Sequence, residues 1–385
     1  MELTTTTAPT SSVKRKLLIA TDCFLPRWDG ITRFLTEIIP KLKEEYDITV
    51  IAPEFPGEYT PIEGINIIRF PILNVKFADI NFSWFHYSKI KAIVGEHDLV
   101  FTQTIGPIGM CAIKAAKKLK KPTIAYIHSI EWELATRSID KFKFLINAAM
   151  KLIIRHYYNK VTLLLVPSFE VGDLYKRNGI TAPYKVVHLG TDLNKFVPPQ
   201  DKALAKQALG IDAKTFVVGF SGRIGREKNL ITLYRAFRRF EKKHENVRLL
   251  IVGKGIESLE EEFSSQRNII MPGSVNNVVP YLQAMDVFVL PSLTETSSLA
   301  TMEAMACGVP VITTPVGYVK DYIMEKENGM FFPFKNSIVL SMKLEILFKE
   351  HQLRHKLGEM ARLTVTQKFS WEKTVNKIKE YLKYF

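Results

Sequence analysis

Short runs of apolar, often β-branched residues alternate with segments of helical period along almost the whole chain, and this alternation limits the fold more than any other feature. The first series is Lys16–Thr21, Ile48–Ala52, Ile65–Phe70, Leu99–Gln103, Thr123–His128, Leu163–Pro167 and Val186–Leu189. A second follows at Phe216–Ser221, Arg248–Val252, Ile269–Met271, Val287–Leu290, Val309–Thr313 and Met330–Phe332. Strands that alternate with helices make βα units, so each series predicts a parallel sheet. Between them lies Gly190–Gln200, a turn-rich stretch with a Pro198-Pro199 pair, which reads as a hinge.

At 385 residues the chain exceeds what one core usually supports, in keeping with two domains. Residues 1–13 are polar and of low complexity, read as a disordered tail without the apolar core of a secretion signal. Cys23, Cys111 and Cys307 are widely spaced and form no CxxC pair, which suggests neither a disulfide framework nor a structural zinc site and fits a reducing cytosol. The most apolar stretch, Phe142–Ile154, is broken by Lys143 and Lys151, so no membrane span is expected. A formal charge of +14 favours an anionic partner, whether nucleic acid, a phosphate-bearing substrate or an anionic bilayer.

Ligands of open α/β sheets settle outside the carboxyl ends of strands, and two such sheets facing each other would share a cleft. Residues at strand ends therefore carry the functional reading. Phe216–Ser221 runs into Gly222-Arg223-Ile224-Gly225-Arg226-Glu227-Lys228. Gly222 and Gly225 permit tight turns, Arg223 offers a planar donor fork and Lys228 a mobile ammonium, a pair suited to a diphosphate. Taken alone, the same residues also suit a solvated basic loop.

Val287–Leu290 ends at Pro291-Ser292, and a helix is expected to start near Ser297 or Ser298 and stop at Gly308. Thr296, Ser297, Ser298 and Leu299 would present unpaired backbone N–H groups, an anion site reinforced by the helix dipole. Glu295 before this helix and Glu303 inside it can accept hydrogen bonds from different hydroxyls of one extended ligand. Ordinary helix capping accounts for the same residue types.

Glu295-x7-Glu303-Ala-Met-Ala-Cys-Gly-Val-Pro-Val resembles the EX7E signature of retaining glycosyltransferases of family 4, and Gly222-Arg223-x4-Lys228 stands where that family carries its diphosphate-binding pair. The resemblance extends from Lys16 to about Phe385. It implies an α/β GT-B fold of two facing Rossmann-like domains with a deep cleft. The N-terminal acceptor domain would span 14–195, the nucleotide-sugar domain 196–367, and a terminal helix in 368–385 would cross back to the first domain. It further implies that Arg223 and Lys228 bind the donor diphosphate, Glu303 the ribose, Glu295 the transferred sugar, and the Thr296–Ala300 backbone phosphate and sugar. Base contacts would fall around Gly273–Val275, at Ser274 and Val275. The loop Ala20–Thr32 resembles the family's glycine loop, but only Gly30 matches, and Ser298 stands where glycine is frequent.

His128 ends a strand where the family places a histidine beside the sugar. A lone histidine there is more often structural, and the resemblance implies that it orients the sugar. No DxD-type motif is found, so no essential divalent metal is expected; the nucleotide sugar is the co-substrate and the only cofactor-like ligand.

Two segments, Val75–Ile93 and Arg137–Lys160, mix aromatic, apolar and basic residues. They suit an anionic bilayer, or helices packed on their own sheet with lysines in water, the commoner arrangement. The reading is thus a cytoplasmic hexosyltransferase, peripheral at the membrane face if bilayer contact holds, using a UDP- or GDP-sugar and an acceptor hydroxyl of a lipid or glycan precursor. A sugar-nucleotide epimerase and a basic nucleic-acid-binding protein are the alternatives. EX7E argues against the first and the lack of an RNA-binding signature against the second.

Overall fold

The computed structural model of the protein describes residues 14–77, 80–138 and 143–385. The tail 1–13 and Phe142 of the second aromatic-basic segment lie outside the described residues. By compactness the chain divides after Ala125, and Tyr126–Tyr384 forms the second unit.

The first series of apolar runs forms β1 (Arg15–Ala20), β2 (Tyr46–Pro53) and β3 (Asn66–Phe70). Then come β4 (Ile72–Phe77), β5 (Ile80–Ser83), β6 (Leu99–Thr102), β7 (Thr123–Tyr126), β8 (Leu163–Val166) and β9 (Tyr184–Val186). Strand order is β3-β2-β1-β6-β7-β8-β9, with β4 and β5 apart as an antiparallel pair. The apolar pattern does not announce that pair, and β9 sits two residues earlier than the run Val186–Leu189 implies. Tyr184 pairs with Leu164 and Val186 with Val166, so the register of β8 decides the boundary rather than local hydrophobicity.

The second series forms β10 (Phe216–Ser221), β11 (Val247–Val252), β12 (Ile269–Gly273), β13 (Val287–Leu290), β14 (Val311–Thr313) and β15 (Met330–Phe331), in the order β12-β11-β10-β13-β14-β15. All of its pairings are parallel. Alternate residues of β10 enter opposite cores: Phe216, Val218 and Phe220 pack with Leu233, Phe237 and Leu344, whereas Val217 packs with Phe288, Met302 and Met305. Burial on both faces is why these strands read as continuous apolar runs.

Each sheet reverses its strand order beside its first strand, at β1/β6 and at β10/β13. Crevices form at such switch points, outside the carboxyl ends of the strands. At the first, buried Asp22 follows β1 and accepts hydrogen bonds from Thr104 Oγ1 (2.7 Å) and from the backbone N–H groups of Gly106, Ile108 and Gly109 (3.0, 2.9 and 3.2 Å). Its carboxylate thereby caps the helix Pro107–Leu119, and a Cβ at Gly106 would lie 2.3 Å from Asp22 Cγ. Burial raises the Asp22 pKa against the lowering effect of these donors.

Candidate active site

The two motifs found in the sequence follow β10 and β13, the neighbouring strands at the second switch point. Three hydrogen bonds bind their loops together. Leu293 N–H donates to the Glu227 carbonyl at 2.7 Å, Asn229 Nδ2 to the Pro291 carbonyl at 3.2 Å, and Lys228 Nζ to Glu295 Oε1 at 2.5 Å. Arg223 Nη2 reaches Glu227 Oε1 at 2.5 Å, and its side chain remains 39% exposed.

Glycine sets the approach of the basic loop. Gly222 has φ 145°, a region that other residues enter only with strain, and a Cβ on the adjoining Gly253 would lie 2.0 Å from the Gly222 carbonyl oxygen. Gly253 N–H in turn donates to the Gly273 carbonyl at 2.9 Å. The ends of β10, β11 and β12 thus lie side by side, and Ser274 and Val275 leave the last of them.

Glu295 is seated from several sides. Ser292 Oγ donates to the same Oε1 at 2.8 Å. Gly317, at φ 47°, packs against the Glu295 backbone, where a Cβ would be 1.9 Å from its carbonyl oxygen. The next residue, Tyr318, donates its N–H to the Thr296 carbonyl at 2.9 Å. Thr296 Oγ1 donates to the His128 carbonyl at 2.7 Å and Thr294 Oγ1 to Glu133 Oε2 at 3.0 Å, which fixes the Thr294–Thr296 loop against the end of β7 and the helix after it. Sequence reasoning misses Ser292 and Gly317; a Val-Gly step shortly after a strand is the only local cue to the second.

The helix Leu299–Ala306 begins one or two residues later than anticipated and ends before Gly308, whose φ is 69°. Ser298 is its N-cap, in the left-handed region at φ 59°, and its Oγ accepts from Thr301 N–H. A residue in that region without glycine's freedom is tolerated here because its side chain closes the helix start. Ser297 is buried, its carbonyl accepts from Tyr322 Oη at 2.8 Å, and its own Oγ has no hydrogen-bond partner among the described residues. Glu303 is buried one turn before Cys307, whose pKa is pushed up to about 12 by burial and then by the Glu303 charge.

The structure therefore brings Arg223, Lys228, Glu295, Thr296, Ser297, Ser298, Leu299 and Glu303 to one switch point, and His128 reaches it through Thr296. The His128 ring lies 4.6 Å from that of Tyr126, and desolvation lowers its pKa to about 3. It is a neutral imidazole at physiological pH, able to orient a hydroxyl and unsuited to act as a general acid. Gly30 belongs to the other unit, where it opens the helix Gly30–Leu42, capped by Asp29 through Ile31 N–H and Thr32 N–H.

Residues 28–195 match the model of Glycosyltransferase Family 4 and residues 201–364 that of Glycosyl transferases group 1. The chain belongs to these glycosyltransferases. Among relatives of the transferase, alpha-monoglucosyldiacylglycerol synthase of Streptococcus pneumoniae is 27% identical over 361 residues, 89% of this chain and 81% of the relative. GDP-mannose-dependent alpha-mannosyltransferase of Corynebacterium glutamicum is 26% identical over 331 residues, 82% and 76% of the two chains. The crystal structure of Anabaena HepE in complex with UDP and glucose superposes with a TM-score of 0.77 at 18% identity, covering 96% of this chain and all of that one. The two-sheet α/β architecture is thus the GT-B fold, and neither the epimerase nor the nucleic-acid reading gains support.

Proposed function

We propose that this glycosyltransferase moves a hexosyl group from a nucleoside diphosphate sugar to a hydroxyl of a membrane lipid or lipid-linked precursor, with retention at the anomeric carbon. The observation that carries the donor half is the convergence of Arg223, Lys228 and the start of the helix Leu299–Ala306 at one switch point. A diphosphate brings more charge to Lys228 than the single Glu295 carboxylate does. Its arrival would draw the ammonium away and leave Glu295 oxygens to accept sugar hydroxyls, while Ser292 keeps the carboxylate in place. Glu303 would take the ribose hydroxyls, Ser274 and Val275 would border the base, and His128 would orient the sugar.

As the bond to the diphosphate lengthens, negative charge grows on the leaving oxygen. Arg223, Lys228 and the first-turn amides are placed to meet it, a preorganised stabilisation that needs no reorganisation during the step. In this reading a donor phosphate oxygen takes the acceptor proton, and no divalent metal is essential. Among the described residues no group of three His, Cys, Asp or Glu side chains is arranged to hold a metal ion.

The lipid half rests on the helix Lys143–Tyr158. Phe144, Leu145, Ala148, Ala149, Leu152 and Ile153 fall at the i, i+1, i+4, i+5, i+8, i+9 positions of one stripe, and all six are exposed, Phe144 to 84% and Leu152 to 65%. The helix packs on its own unit through Ile154 and Tyr158, which are buried on the opposite side, and this second apolar stripe is left facing outward. Lys143, Lys151, Arg155 and Lys160 flank the stripe, which suits a helix lying in the headgroup region of an anionic bilayer. Among the described residues no helix is long and apolar enough to cross a membrane. The relative from Streptococcus pneumoniae is an alpha-monoglucosyldiacylglycerol synthase, which supports a lipid acceptor here.

The test is release of nucleoside diphosphate from a panel of UDP- and GDP-sugars, with and without membrane lipid extract and with and without chelator, by wild-type and Glu303→Ala protein. Lipid-dependent release of one nucleotide, insensitive to chelator and lost in the variant, is expected. Release that needs only a soluble sugar would remove the lipid half and leave the transferase.

A further inference from the structure

Outside the switch point, a recess of about 470 Å³ opens where the C-terminal helix meets the edge of the first sheet. Three elements build it. The edge strand β9 contributes Tyr184 and Lys185, the helix Phe169–Arg177 contributes Lys176, and the helix Trp371–Lys383 contributes Lys377 and Tyr381, one turn apart on the same face.

The arrangement is fixed by the chain's return to β9. Thr191 N–H donates to the Phe369 carbonyl at 3.1 Å, and Thr374 Oγ1 donates to the His188 carbonyl at 2.8 Å. A Cβ at Gly190 would lie 2.4 Å from the Ser370 carbonyl carbon and the Trp371 nitrogen, so the two segments pass at a distance only glycine allows. His188 forms part of the wall. Its Nδ1 donates to the Pro167 carbonyl at 2.7 Å, and its ring stacks on Tyr318 at 4.6 Å between centroids.

Lys176, Lys185 and Lys377 are exposed at this recess, and none has an ion-pair partner among the described residues. Of the carboxylates nearby, Asp173 is held at the rim by Tyr184, Glu380 adjoins Tyr381, and the others are engaged elsewhere or lie behind the wall. Asp173 accepts from Tyr184 Oη at 2.7 Å, Glu170 pairs with Lys320 Nζ at 2.6 Å, and Asp321 interacts with His188. Lys176 Nζ stands 4.9 Å over the Tyr184 ring, which holds the ammonium at the recess without neutralising it. Three ammonium groups around one concavity favour a multivalent anion, whose oxygens can accept from them and from the Tyr381 phenol.

We propose that this recess is a second anion site, for a phosphomonoester, separate from the residues that meet the donor diphosphate. Its volume suits a small headgroup or metabolite rather than a nucleic-acid strand. A soluble phosphate ester and the headgroup of a phosphatidic acid share the recognised chemistry. The proposal is independent of the lipid reading of the acceptor, because the lysines of the recess lie on none of the elements named for it.

Two matched probes distinguish the sources: glycerol 3-phosphate titrated calorimetrically into the full chain, and cosedimentation with phosphatidylcholine vesicles with and without phosphatidic acid. Lys185→Glu/Lys377→Glu is compared with Lys228→Ala and, to control for net charge, with Lys242→Glu/Lys356→Glu. Thermal unfolding of each variant checks the fold. Saturable binding of at least one probe is expected, weakened about tenfold or more (about 1.4 kcal/mol) only by the recess variant and by raised salt. Binding of glycerol 3-phosphate assigns a soluble ligand, and binding to phosphatidic acid vesicles alone assigns a lipid headgroup. Absence of saturable binding at millimolar probe, equal loss in the net-charge control, or loss in Lys228→Ala with retention in the recess variant overturns the site.

Discussion

Gly317 leaves the space that the backbone of Glu295 fills: a Cβ at position 317 would stand 1.9 Å from the Glu295 carbonyl oxygen and 2.8 Å from its carbonyl carbon. With φ at 47° the position is also strained for any other residue. Gly317→Ala should therefore cost on the order of 1–3 kcal/mol of stability and, by moving Glu295, lower kcat beyond what the loss of folded protein explains. Gly210 is the control. It has φ 69° but nothing within 4 Å of where a Cβ would stand, so Gly210→Ala carries strain without collision and should keep full specific activity. Equal specific activity of the two variants would remove the positioning role of Gly317.

The Lys228–Glu295 pair makes a second prediction, because the proposed function gives each side chain a different part toward the donor. Lys228→Ala should weaken binding of the free nucleoside diphosphate, whereas Glu295→Gln should leave that binding nearly unchanged and reduce turnover of the sugar. For either variant kcat/KM is expected to fall by roughly 100-fold, about 2.7 kcal/mol of transition-state stabilisation. Calorimetry with the nucleotide, set beside steady-state rates with the nucleotide sugar, separates the two effects. If Glu295→Gln lost nucleotide affinity as Lys228→Ala does, the assignment of Glu295 to the sugar would fail.

His128 yields a prediction in pH. Its folded pKa, about 3, lies below the ordinary histidine value, so the unfolded chain binds the proton first. The neutral ring is fully compatible with folding above the ordinary value, and stability falls as pH drops from there toward the folded pKa, by at most about 1.4 kcal/mol per pH unit. His128→Gln should flatten this part of the stability profile between neutral and mildly acidic pH. The activity profile of the wild type should show no inflection near neutrality that this variant removes, since a ring that stays neutral is not titrating there. A neutral-pH inflection that disappears in His128→Gln would instead make it an acid or base.

What was legible in the sequence is what local chemistry writes into neighbouring residues. Fully buried strands appear as apolar runs, and the helix after β13 declares its start by hydroxyl residues and its end by Gly308. The proposed donor constellation is legible because Arg223, Lys228, Glu295 and Glu303 sit within short windows after two strands. Gly317 was not legible, since its requirement comes from a carbonyl 22 positions upstream in the chain, as the numbering of Glu295 and Gly317 gives directly. The link from Thr296 to the His128 carbonyl depends on which strands become neighbours, and β4 with β5 depends on a pairing that periodicity does not encode. Periodicity also shows which residues of the helix Lys143–Tyr158 share a face, but not whether anything covers that face.

That uncovered stripe gives the last prediction. Inserting Leu152 and Ile153 into a bilayer would remove what remains of their side chains from water, a gain of at most roughly 1.5–3 kcal/mol for a fully exposed side chain and less for Ile153, which is 36% exposed, and the flanking lysines add attraction to anionic headgroups. Leu152→Glu/Ile153→Glu should therefore lower binding to anionic vesicles by about 100-fold or more, while nucleotide binding stays near wild type and the protein remains folded, because Leu152 is 65% exposed and Ile153 36%. Lys151→Gln/Arg155→Gln should weaken the same binding less and make it less sensitive to salt. Vesicle cosedimentation across a salt series, paired with nucleotide calorimetry, measures both. Should the glutamate variant bind vesicles as well as the wild type while remaining folded, the stripe is not the membrane surface, and a lipid acceptor would have to be reached by another face of the transferase.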